Sequence, residues 1–161
     1  MRQKSRKSKN NYIACAAGNK DQAENRSKSM KFSSEAHKEF YEKYGAQYDG
    51  DDRERQSLFY LLGVSEDTRR NVEGIYDFKN HCIRPECLTA GWLTSSSGAL
   101  LRLALDLFHG NPVYTNLDLP ADKLLEEAER FSVSNTLCYL NSWLPYAVEA
   151  IKIRYDYGYF E

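Results

Sequence analysis

No run in these 161 residues approaches the ~20 apolar side chains a helix needs to cross a bilayer. Nor is there a secretory leader. Met1–Asn10 is basic enough, but the only apolar piece behind it, Tyr12-Ile13-Ala14-Cys15-Ala16-Ala17, is too short for the hydrophobic core of one. Both absences point to a cytoplasmic location with no membrane partner. Cysteine is scarce as well, four in all, and inside a cell such thiols are expected reduced rather than paired into a disulfide frame. A strand–glycine loop–lysine frame for nucleotide phosphates is missing, and so is a twelve-residue calcium loop with its central glycine and terminal glutamate. There is no internal repeat. These gaps remove most of the chemistries that a short sequence can announce, and they imply no cofactor.

What is present is a core and a charge asymmetry. At 42% hydrophobic and 13% aromatic, the chain has enough apolar surface for one domain. Its net charge of -1 hides two compositions. Through Lys31 there are 9 Lys+Arg against 2 Asp+Glu, which leaves 13 and 21 of the totals of 22 and 23 for the remainder. Local charges of +7 and -8 result from the same counts. Residues 1–31 carry few large apolar side chains, too few to offset chain entropy, and are expected to be a disordered basic arm. The arm, with Arg2, Lys4, Arg6, Lys7 and Lys9, is a candidate for weak nucleic-acid contact, and it can also be an upstream extension ahead of Met30.

From Phe32 onward the spacing is helical. Ser33, Ser34 and Glu35 open a helix that Gly45 closes, and acids at Asp51 and Asp52 open the next, ending at Gly63. Ser65 starts a short helix reaching about Gly74. Ser95-Ser96-Ser97-Gly98 caps an apolar run whose leucines cover most of the circumference, which makes it the buried central helix. Pro120 suits the first turn of Ala121–Phe131, whose Leu124, Leu125 and Ala128 form one stripe. A final helix from Ser134 to about Tyr155 is expected to kink at Pro145. The prediction is therefore all-α, a single compact helical bundle over 32–161 of about six helices, with one long irregular connection at Ile75–Thr94.

That connection holds His81, Cys82 and Cys87, the most reagent-like residues of the body. Structural zinc wants two close pairs of ligands, and only one pair is here; His109 and Cys138 would have to complete it from other helices. A nucleophilic thiolate would need a depressed pKa, a base and an oxyanion cradle, and no motif assembles them around Cys82 or Cys87. The plainer reading is a crossover anchored by Ile83, Leu88, Trp92 and Leu93, with Cys138 as a small core hydrophobe. Ser95, Ser96, Ser97 and Gly98 at a helix start, with Arg102 one turn in, form a candidate anion site. Asp49, Asp51, Asp52 and Glu54 read as helix-opening acids rather than a cation loop. Tyr155, Tyr157, Tyr159 and Phe160 make an aromatic end suited to a protein interface.

The pieces His37-Lys38, SEDTRRNVEGIYDF at Ser65–Phe78, IRPECLTAGWLTSSS at Ile83–Ser97 and EAIKIRY at Glu149–Tyr155 give the body a resemblance to a small, functionally unassigned family of Gram-positive bacteria and their mobile genetic elements. No catalytic residue transfers from such a family. The resemblance implies a context of accessory cargo on mobile elements, where compact proteins bind and inhibit host or defence machinery. The expected function is a protein-binding module, not an enzyme, acting on a nucleic-acid-processing partner through Tyr155, Tyr157, Tyr159 and Phe160, with Asp51 and Asp52 as phosphate mimics. The rival expectation is a small enzyme or ligand-binding protein using Ile75–Arg102.

Overall fold

The structure is a computed structural model and describes residues 30–48, 52–114 and 116–155. The chain divides into two units, Met1–Met30 and Lys31–Glu161, and every described helix and strand belongs to the second. The basic arm, Asp51, Tyr157, Tyr159 and Phe160 lie outside the described residues.

Eight α-helices occur among the described residues: α1 (Glu35–Tyr44), α2 (Arg53–Leu62), α3 (Glu66–Arg70), α4 (Val72–Ile75), α5 (Ser95–His109), α6 (Ala121–Arg130), α7 (Val133–Cys138) and α8 (Leu144–Tyr155). The fold is all-α, as the spacing predicts. The only strands described, β1 (Tyr76–Asp77) and β2 (Cys82–Ile83), pair antiparallel with Tyr76 opposite Ile83. The stretch 75–94 is thus not wholly irregular. Asp77 builds its turn, accepting from the Lys79 and Asn80 backbone N–H groups at 3.0 Å each. A 3₁₀ turn at Pro85–Thr89 comes next, with proline at its start, where a missing N–H costs nothing.

The centre of the body is α2, packed on α1, α5 and α8. Leu58, Phe59, Tyr60, Leu61 and Leu62 are all fully buried, so this helix is enclosed on every side. Leu100, Leu101, Leu103, Leu105 and Leu107 do the same for α5, while Phe108 is only half-buried. Each such side chain contributes about 1.5–3 kcal/mol by leaving water.

Four expectations are corrected. Helix α5 begins at Ser95, because Thr94 and not the serine run is its cap. The segment 134–155 is two helices, not one kinked helix: α7 stops at Cys138, and a 3₁₀ turn at Asn141–Trp143 intervenes, Asn141 having φ 44°. Pro145 is then the second residue of α8, where its absent N–H has no partner to lose. The break resets the helical phase, so Cys138 is exposed rather than in the core. Leu125, at 63% exposure, does not join the stripe of Leu124 and Ala128.

Candidate functional site

The best-built polar arrangement in the body surrounds the C-terminal end of α2. The last carbonyls of a helix have no partner within it, and burial makes each unmet one costly. Here side chains from two other segments meet them. His37 Nε2 donates to the Tyr60 carbonyl at 2.8 Å, Thr68 Oγ1 to the Leu62 carbonyl at 2.6 Å, and Arg69 Nη1 to the Gly63 carbonyl at 2.6 Å. Arg69 also reaches the Val64 carbonyl at 3.2 Å.

The His37 tautomer is fixed by partners that can act only one way. A backbone carbonyl accepts, so Nε2 carries the proton; the Ser33 backbone N–H donates, at 3.1 Å, so Nδ1 is bare. The ring is fully buried among Phe32, Tyr60 and Tyr146. Burial lowers its pKa to about 4, with the nearby Arg69 charge acting in the same direction. His37 therefore stays neutral near pH 7 and serves as a helix cap. Gly63 completes the arrangement. A Cβ added there would stand 2.5 Å from His37 Cδ2, too close for the imidazole to remain.

A second junction joins the start of α2 to the ends of α5 and α8. Arg154 Nε donates to the Leu107 carbonyl at 2.8 Å, and its Nη2 pairs with Glu54 at 2.9 Å. Arg55 donates to the buried Tyr76 hydroxyl at 2.7 Å and pairs with Asp52. Asp52 Oδ1 accepts from the Arg55 backbone N–H as the N-cap of α2, so both of its oxygens are engaged within its own helix. Tyr155 lies beside this junction, 44% exposed, with the Arg154 guanidinium 5.1 Å from its ring centre.

The outer face of α8 leaves a row of apolar side chains open. Leu144, Val148 and Tyr155 are 41%, 46% and 44% exposed, with Ile151 half-buried between them. Ala147 and Ala150 on the inner face are fully buried. The helix thus has a covered apolar side and an open apolar stripe, with Glu149 and Lys152 flanking the stripe.

The thiol and imidazole candidates do not converge. Cys82 is exposed on β2, Cys87 is buried in the 3₁₀ turn, and Cys138 is exposed at the end of α7. His81 is exposed in the hairpin turn at φ 55°, and His109 is exposed at the end of α5. Among the described residues no group of three or more His, Cys, Asp or Glu is placed to hold a metal ion. Burial pushes the Cys87 thiol up to about 12, opposite to what a thiolate nucleophile needs. At the start of α5, Thr94 and Ser97 satisfy each other in a reciprocal capping box, while Arg102 reaches back over Gly98, its Nη1 3.2 Å from where a Cβ would sit. No helix among the described residues is long and apolar enough to cross a membrane.

Helices that end on side-chain caps from other segments, around one enclosed central helix and with no assembled catalytic set among the described residues, define a small all-α domain. The chain belongs to DUF6075, a family of unknown function whose model matches residues 27–161. The match starts ahead of Phe32, so it takes in the last residues of the segment expected to be an arm. No curated protein and no solved structure matches the chain.

Proposed function

We propose that the chain is a protein-binding module that acts by occupying a partner protein, with the outer face of α8 as its contact surface. The observation that carries this is the exposure of Leu144, Val148 and Tyr155 on a helix whose opposite face is already buried. Apolar side chains left open along one stripe of a helix mark interaction sites. Tyr157, Tyr159 and Phe160 continue the aromatic character in sequence. The -8 charge of residues 32–161 favours a partner with a basic surface, as nucleic-acid-processing proteins have. With the family resemblance, this supports a host or defence enzyme as the target, inhibited from a mobile element. Asp52 enters as the cap that holds α2 beside this surface.

Co-purification from the native host tests the reading, using the full chain beside Val148→Asp and Tyr155→Ala. One basic partner should be enriched by the full chain and lost with both variants, whose melting temperatures stay within a degree or two of the parent because the side chains are exposed. Equal capture by the variants would move the surface elsewhere, and no enriched partner would count against the module itself.

A further inference from the structure

A cleft of about 50 Å³ opens beside α5, where the Pro85–Thr89 turn and the end of α6 meet it. Its apolar wall is Leu88, Val113 and Phe131, and its polar side holds Arg102, Arg130 and Glu127. Arg102 is half-buried, yet among the described residues its guanidinium has no hydrogen bond and no ion pair. A guanidinium presents five donors in a planar fork, and those of Arg102 stay open to solvent and so available to a ligand in the cleft. Burial and then the neighbouring Arg130 charge both lower the Arg102 pKa; Glu127 acts in the opposite direction without pairing to it. Arg130 is held from outside the cleft by Glu126 at 3.2 Å, a pair half open to solvent and correspondingly weak. Two positive charges and one negative thus share a cleft beside an apolar wall, leaving one positive charge in excess.

We propose that this cleft binds a small organic carboxylate, its head held by Arg102 and Arg130 and its short apolar stem laid against Leu88, Val113 and Phe131. The guanidinium fork matches a carboxylate in bidentate geometry, and a ligand carboxylate would balance the one positive charge that Glu127 leaves in excess. The small volume sets the size class at a head with a few carbons. The site does not depend on α8 having a partner.

The test follows the arginine side-chain N–H signals of the ¹⁵N-labelled full chain by NMR, at constant ionic strength, as butyrate, acetate or inorganic phosphate is added. Butyrate should shift the Arg102 signal saturably and bind about tenfold tighter than acetate, the gain expected from burying two methylenes. Arg102→Gln and Arg130→Gln should each weaken butyrate about tenfold, as loss of a charge-assisted hydrogen bond implies. Backbone spectra check that each variant is folded, and Arg130→Gln, altering an exposed side chain, carries the test if Arg102→Gln is not. Shifts that stay linear in concentration, are equal for all three anions, or persist in Arg130→Gln would reduce the effect to charge screening and overturn the site. Phosphate binding as tightly as butyrate would overturn the role of the apolar wall.

Discussion

The imidazole of His37 and the backbone carbonyl of Tyr60 meet at 2.8 Å in a fully buried position, one side chain closing the end of a helix that begins sixteen positions further along the chain. Because Ser33 donates to the other ring nitrogen, a second proton would set one donor against another. The structure is therefore bound to the neutral ring.

Acid should unfold the protein through this residue. The unfolded His37 takes a proton near pH 6.5, the folded one only near about 4, so between those values the unfolded state binds more protons. The contribution is fully present above pH 6.5 and is lost as pH falls toward 4. The shift corresponds to about 3 kcal/mol at most. Urea midpoints measured from pH 7.5 to 4 should fall through that window in the parent, and His37→Gln should flatten the fall; an unchanged slope would remove His37 as its cause.

Gly63 is kept by space rather than by backbone conformation. Its φ of -70° suits any residue, but a methyl group would sit 2.5 Å from the His37 ring. Gly63→Ala should cost about 1–3 kcal/mol, the range for an overfilled core. In a double-mutant cycle, adding Gly63→Ala to His37→Ala should cost much less than adding it to the parent, since the clashing ring is gone. Additive losses in chemical denaturation would show that the clash lies elsewhere.

The cysteines should separate cleanly under a thiol reagent. Cys82 and Cys138 are exposed, so both should label in the native protein. Cys87 is buried, and its thiol, pushed up to about 12, should label only once the chain is unfolded. Mass spectrometry of peptides from native and urea-treated samples reads the result. Native labelling of Cys87 faster than of Cys82 would restore it as a reactive group.

The helical parts were legible because their signals are local. The cap at Ser34, the glycines after Tyr44 and Leu62, and the leucine run of α5 each declare an element from neighbouring residues alone. What spacing could not supply was the break before Asn141, so it extrapolated one helical phase across it and placed Cys138 inside. His37 was hidden for another reason. It is one polar residue on an amphipathic helix, and its partner carbonyl belongs to Tyr60, which no local pattern links to it. Three of the four stretches that carry the likeness to a family contain His37, Thr68, Arg69 and Arg154, each of which closes a carbonyl outside its own helix. Their role is visible only once the helices are packed.

Arg154 offers a choice between two contributions that can be weighed in advance. It donates to the Leu107 carbonyl at the end of α5 and pairs with Glu54 at the start of α2. The Arg154 side chain is only 17% exposed, whereas Glu54 is 39% exposed. A half-solvated ion pair is worth about 0–1 kcal/mol, while stripping a charged donor from a poorly hydrated carbonyl costs about 1–3 kcal/mol. The carbonyl cap should dominate. Arg154→Met, which keeps the apolar stem, should then destabilise by about 1–3 kcal/mol, and Glu54→Gln by about 1 kcal/mol or less. High salt should narrow the difference between Glu54→Gln and the parent while leaving Arg154→Met low. Urea denaturation of both variants at two salt concentrations distinguishes these contributions, and equal losses that vanish together in salt would make the pair, not the cap, the tie between α8 and the rest of the body.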